Sequence, residues 1–339
     1  MPPAGAPAEA GQAGEDAPPL RFGDASPMAD PDLRGDALTR NKQTRVVSAN
    51  VTVWRRLAEI WRSRELLVYL VRTEIKVKYK NSFLGLLWSM LSPAMTLVVY
   101  TVVFGLFLRN GIPNFVVFLF AGLLLWNFFS TAVMSATGVV VNNAGLVKKV
   151  SFPREILALA AIGSAGVFFF FQACVMVIFL VGFQMAPAWS LLWLVVVAIV
   201  PTIVLGAALG IFLASVNVYL RDTQHLVEVI VGAAWFWACP IVYSYQNTVA
   251  IHLKQHGITW LYFLNPMTPL VMTFQRVLYD RPGLVRLTTT AHPLKQLLPG
   301  WPATTYLWAD AVVLGVALVL FYVAMVVFGR LAGNFAEEL

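Results

Sequence analysis

The chain has 339 residues, 59% of them hydrophobic and 12% charged, with a mean hydropathy of +0.72. A soluble core of this length cannot hide that much apolar surface, so the composition excludes an ordinary soluble enzyme or binding module and places the chain in lipid. The net charge of +7 is unevenly placed: from Arg40 to Lys80 the only acids among many arginines and lysines are Glu59, Glu65 and Glu74.

Residues 1–45 are rich in Ala, Pro, Gly and Asp and lack apolar periodicity, which predicts a disordered tail. They also lack the continuous apolar run of a secretory signal. Over residues 46–82 apolar side chains recur three and four apart, as in Val53, Leu57, Ile60, Leu67, Leu70 and Val71. That spacing predicts one or two amphipathic helices, either lying at a membrane surface with arginines toward the headgroups or forming a solvated arm. Residues 83–330 carry six stretches near the roughly 20 apolar residues that cross a bilayer. They run over Leu84–Leu108, Pro113–Val140, Ile156–Phe183, Leu191–Val216, Leu226–Tyr245 and Tyr306–Phe328. Pro93, Pro201 and Pro240 mark kinks within them. Residues 331–339 form a short tail. The expected fold is therefore an all-α integral membrane protein with six transmembrane helices, preceded by amphipathic interface helices.

Basic residues flanking the spans orient the chain. With both termini in the cytoplasm, the inner side receives the basic arm, Lys148, Lys149, Arg154, Arg221 and Arg330. The outer side receives Arg109 and one long segment, residues 246–305, with Lys254, Arg276, Arg281, Arg286 and Lys295.

Chemical motifs are mostly missing. There is no GxxxxGK[ST] phosphate loop, GxSxG elbow, HExxH or CxxC pair, so the chain is read as no enzyme and as carrying no cofactor. His252 and His256 have the i, i+4 spacing of metal ligands but no third ligand nearby, and Gly257 ends the run, so no metal is expected. Cys174 and Cys239 lie in apolar runs and read as small hydrophobes. The stretches 110–147, 156–220, 229–253 and 311–329 contain no Asp, Glu, Lys or Arg. Ion-coupled transporters keep ionisable groups at membrane depth. A transporter without them draws its energy from a partner.

Between two of these chargeless stretches lies NNAGLVKKVSFPREILALA, residues 142–160. It can fold as a short helix whose apolar Leu146 and Val150 dock in a groove of a partner while Lys148 and Lys149 meet an acidic rim. Positive-inside anchoring is the plainer reading. For Arg221 and Asp222 an ion pair or helix cap serves as well as a gating role. Tyr100, Phe104 and Phe107 fall at i, i+4 and i+7, on one face of the first span, either lining a pore or packing against lipid and helices. Trp235, Trp237 and Tyr243 add aromatics to the fifth span, though Trp235 and Trp237 are two residues apart and cannot face one channel together.

Four motifs carry a family resemblance: FLGLLWSMLSPAMTLVVYTVVFG from Phe83, NNAGLVKKVSFPREILALA from Asn142, VYLRDTQHLVEVI from Val218 and YFLNPMTPLVMTFQRVLYD from Tyr262. In order and position they resemble the permease subunits of ABC-2 type exporters of polysaccharide, O-antigen, teichoic acid and cell-wall galactan. The chain departs from that pattern in its amino-terminal extension and around Tyr243–Thr248. The resemblance implies a homodimer in a bacterial inner membrane, working with two copies of a separate ATPase that binds ATP and Mg, and moving a lipid-linked glycan, with no nucleic acid involved. It also implies that Leu146, Lys148, Lys149, Val150, Arg154, Arg221 and Asp222 couple to the ATPase. Asn265, Pro266, Thr268 and Pro269 would break a re-entrant helical hairpin on the outer side. Three other readings stay open: an ABC-2 exporter of a small drug or lipid, a scaffold protein without transport, and a membrane-embedded glycosyl- or acyltransferase. The last would have only Asp222, His225, Glu228, Asp280 and Asp310 to work with.

Overall fold

A computed structural model describes residues 53–79, 87–279 and 297–339, all within one compact unit, Ser48–Leu339. The predicted tail, the head of the first span and Asp280, Arg281, Arg286 and Lys295 lie outside the described residues. All regular structure among the described residues is helical.

Two helices open the described chain, α1 (Val53–Arg62) and α2 (Arg64–Tyr79), the pair anticipated from the three-and-four spacing. Val53 and Ile60 of α1 are buried, whereas Trp54 and Trp61 stand exposed. Helix α3 (Leu87–Tyr100) holds Pro93 and continues as a π-helical turn, Thr101–Phe107. Helix α4 (Phe115–Asn142) is followed by the short α5 (Ala144–Lys149) and by α6 (Glu155–Gly182). Next come α7 (Trp193–Tyr219), with Pro201 inside it, and α8 (Thr223–Val229), which runs into a second π turn, Ile230–Trp235. The chain is helical through Trp237 and then breaks into turns around Pro240. Three helices follow, α9 (Ala250–Gln255), α10 (Thr259–Phe263) and α11 (Met267–Leu278). Helix α12 (Ala303–Leu331) and a last turn, α13 (Phe335–Glu338), close the chain.

Among the described residues, five helical stretches are long and apolar enough to cross a membrane: Met90–Phe107, Phe115–Asn142, Glu155–Gly182, Trp189–Tyr219 and Ala303–Asn334. The predicted fifth span, Leu226–Tyr245, is not among them. Its helix stops at Trp237, and Pro240, which has no N–H to carry the ladder on, lies in the turns that follow. The freed Pro240 carbonyl is not orphaned, since the buried Gln275 Nε2 of α11 donates to it at 2.9 Å.

Helix α4 is the hub. It packs against α6, α7 and α11, and 83% of its most apolar window is buried, against 6% for the first span. A chargeless, mostly apolar helix of this kind is answered by protein on nearly every side. Lipid is as apolar as a leucine, so close packing rather than the hydrophobic effect holds spans together. Small residues permit it. A Cβ on Gly210 of α7 would sit 2.7 Å from the Ala136 methyl of α4, and one on Gly163 of α6 would sit 2.9 Å from Val71 of α2.

Candidate functional site

The carboxyl ends of α4, α7 and α12 meet α1, α5 and the start of α6 at one end of the bundle, the basic end. Its centre is an ion pair: Arg56 Nη1 of α1 lies 2.6 Å from Glu155 Oε1, with the two side chains 13% and 4% exposed. Arg56 Nη2 also donates to the Gly329 carbonyl at 3.3 Å, near the end of α12 where unpaired carbonyls carry partial negative charge. Beside it, Arg154 Nη1 donates to the Ala332 carbonyl, with its guanidinium 5.7 Å over the Phe335 ring. Burial draws Arg154 below its usual range, and Glu155 pulls the other way. The Tyr219 hydroxyl donates to the Leu331 carbonyl at 3.0 Å. Phe335 is fully buried against Phe328, ring centroids 5.3 Å apart.

None of this clamp was read from the sequence as a clamp. Arg56 and Glu155 are 99 residues apart. One signal existed: Glu155 is a lone acid heading a chargeless span, and a buried carboxylate calls for a cation. The tail 331–339 was expected to be a mere extension, yet Phe335 docks into the core. A lone aromatic in GNFAEEL was the cue.

The basic loop does fold as a short helix, α5. Val147, not Leu146, is its most buried apolar residue; Leu146 is half-buried and packs on the core, so it belongs to the inner face. Lys148, Lys149 and Val150 are exposed. Arg154 turns inward, as described. Arg221 and Asp222 are exposed at the α7–α8 turn, and Asp222 precedes α8 without a side-chain cap bond. His225 and Glu228 lie 3.6 Å apart on α8. Helix α2 rests on α6, with Glu74 half-buried. Burial raises its carboxyl above the usual range, while the Ser164 hydroxyl and Lys78 pull it back.

The aromatic stripe is only partly assembled. Tyr100 and Phe104 meet edge-on at 6.0 Å, and both approach Trp237 at 6.1 Å; Tyr100 also lies 5.7 Å from Phe236. Phe107 does not join them and is 74% exposed. The expectation that it shares their face assumed α-helical spacing. The π turn takes more residues per turn and rotates position 107 away. Trp235 turns to the hub instead, 5.2 Å from Phe129, with its Nε1 donating to Asn265 Oδ1 at 2.8 Å. Tyr243 donates to the Trp237 carbonyl at 2.9 Å and meets the Tyr262 hydroxyl at 3.0 Å.

Asn265 and Pro266 do break one helix into two, α10 and α11. Asn265 Oδ1 accepts from the Met267 amide at 3.0 Å, closing the turn. Helix α11, with Thr268 and Pro269, is almost wholly buried and packs on α4, α7 and α12. Its Thr273 donates to Asp310 of α12 at 3.1 Å. His256 Nδ1 lies 2.9 Å from the His252 carbonyl, on the exposed α9.

Residues 53–279 match the family model described as ABC-2 type transporter. Among curated proteins the chain is similar to an O-antigen export system permease protein RfbA from Myxococcus xanthus, 32% identical over 67% of this chain and 85% of that protein. A protein of the same name from Klebsiella pneumoniae is 28% identical over 62% of this chain and 79% of its own length.

Proposed function

The chain belongs to the ABC-2 type transporter family, and from that premise we propose that it is the membrane subunit of an ATP-driven exporter of a lipid-linked polysaccharide or related cell-envelope polymer. The observation that carries the reading is the 32% identity to an O-antigen export permease along 85% of that protein. The absence of any ionisable group on the hub helix supports an external energy source. In this reading the protein sits in a bacterial inner membrane with both termini and the basic end in the cytoplasm. Two copies pair, and two copies of a separate ATPase supply bound ATP and Mg.

The exposed Lys148, Lys149 and Val150 of the α5 turn, with Arg221 and Asp222 of the α7–α8 turn, form the face offered to the ATPase. Arg154 acts behind that face by holding α12. The π-broken run from Thr223 to the Pro240 turns serves as the sixth crossing, completed by segments that reach the opposite end. Helices α10 and α11 form a hairpin dipping back into the membrane, which the burial of α11 supports, since broken backbone at that depth is tolerated only inside protein or beside water. Tyr100, Phe104, Trp237 and Tyr243 give a glycan flat faces to slide on. Depleting the protein should make a lipid-linked glycan accumulate on the cytoplasmic side while its synthesis continues; normal surface glycan after depletion would contradict the reading.

A further inference from the structure

Where the first span reaches the end opposite the basic rim, the π turn Thr101–Phe107 and the connection to α4 border a cavity of about 530 Å³. Its lining mixes apolar Val102, Leu106 and Phe115 with Thr101, Arg109 and Asn110. Two of those polar groups, Thr101 Oγ1 and Asn110 Nδ2, are buried without a hydrogen-bond partner among the described residues. The Asn110 amide is already oriented: its Oδ1 accepts from the Ile112 amide at 3.1 Å, which leaves its NH₂ group as the unused half. Thr101 is unlike its counterparts. Thr96, Thr137 and Thr202 each donate to the carbonyl four residues back, at 3.1, 2.8 and 2.8 Å, whereas Thr101, first residue of the π turn, does not.

Each orphaned buried polar group costs about 1–3 kcal/mol. Keeping two of them at one cavity whose lining includes Arg109, a side chain with donors only, fits a ligand rich in acceptors and negatively charged. Phosphate is the anion that Arg grips with two parallel bonds. The remaining wall is apolar, and Leu106 and Phe107 stand exposed where the span ends, so the anion arrives attached to a hydrocarbon. We propose that this cavity binds the phosphate of a membrane lipid, with Arg109, Asn110 and Thr101 on the phosphate oxygens and the Val102, Leu106 and Phe115 wall against the first carbons of the chain. The proposal rests on reading the first span as crossing the membrane, not on what is exported.

The test is native mass spectrometry of the full-length protein, without ATPase, titrated with phosphatidylglycerol, a polyprenyl phosphate, diacylglycerol and inorganic phosphate. Both phosphate lipids should be retained and diacylglycerol should not; the tighter of the two names the physiological source. Asn110→Asp keeps the acceptor for Ile112 but replaces the donor with a negative charge, and should weaken retention about tenfold, the size expected for one lost charge-assisted bond. Arg109→Gln should do the same, and Thr101→Val should give a smaller loss of about threefold. Should Arg109→Gln fail to fold, the near-isosteric Asn110→Asp carries the test. Equal retention of diacylglycerol, displacement by inorganic phosphate at millimolar level, or unchanged binding by Asn110→Asp overturns the proposal. So does an efficient disulfide between two copies of Leu106→Cys, which would place a second protomer over the cavity. Failure of any of these leaves the export reading intact, since no transport is measured.

Discussion

Helix α4 and the basic rim hold their neighbours by different means. The hub is gripped on all sides by apolar side chains and small-residue contacts, without a charge along its length. The rim is gripped by arginines: Arg56 on Glu155 and Gly329, Arg154 on Ala332. At that same rim the lysines of α5 make no ion pair among the described residues. The contrast teaches that the arginines knit α1, α6 and α12 into one piece, while the lysines are left to meet something else.

The largest expected effect lies in the rim. Glu155→Ala strands Arg56 as a buried unpaired cation, and should lower stability by about 3 kcal/mol or more, read as a drop in the thermal midpoint in detergent. The double variant Arg56→Met with Glu155→Met should recover most of that loss, because a well-packed apolar pair can replace a buried ion pair. If the single and double variants melt alike, the pair is not what holds the rim.

A hub substitution should cost less. Phe129→Ala removes a fully buried ring that touches Trp235. In a soluble core such a change costs about 3–5 kcal/mol, but part of that is transfer from water, which is absent in lipid. We expect about 2 kcal/mol from the lost packing, against no measurable change for the exposed Val99→Ala. Equal losses at both sites would mean that burial within the protomer does not set stability here.

Replacing Tyr100 and Phe104 with Leu keeps apolar volume roughly constant and should cost about 1 kcal/mol in all. It removes the flat faces on which sugars stack. Export should fall while ATP hydrolysis by the complex persists; unaltered export would show that these rings only pack against Phe236 and Trp237.

Smaller still is Glu74. Its carboxyl titrates above the ordinary value of 4.5 because burial disfavours the charge, so the docking of α2 on α6 is strongest at low pH and weakens as pH rises through the raised value. Glu74→Gln should therefore stabilise at pH 7 by less than about 1 kcal/mol, the scale of a partly exposed charge. The gain should vanish towards pH 4.5. A stabilisation that does not change with pH would remove the carboxylate from the explanation.

Most of the bundle was legible because hydropathy is a local property: α4, α6, α7 and α12 follow runs that composition alone marks as spans. The helical character of α1 and α2 followed from spacing, and the α10–α11 break from Asn265–Pro266. What failed to show were features that depend on partners far along the chain or on altered helical pitch. Phe107 was misplaced by the π turn at Thr101, which no propensity announces, and the Leu226–Tyr245 span loses its helix after Trp237, ahead of Pro240. Arg56 and Glu155, 99 residues apart, form a pair whose proximity only the folded bundle creates. Leu146 was assigned to the outer face of α5 although the helix turns it inward with Val147.

The most direct measurement of the coupling claim uses the two lysines that the rim leaves outward. Lys148→Glu with Lys149→Glu should change protomer stability by only a few tenths of a kcal/mol. Attraction to an acidic ATPase surface would become repulsion, and insertion would survive because the basic arm remains. Co-purification with the cognate ATPase is the readout. The account predicts that the doubly reversed protein reaches the membrane and melts normally but no longer brings down its ATPase; a doubly reversed protein that holds its ATPase as tightly as the native chain would contradict it.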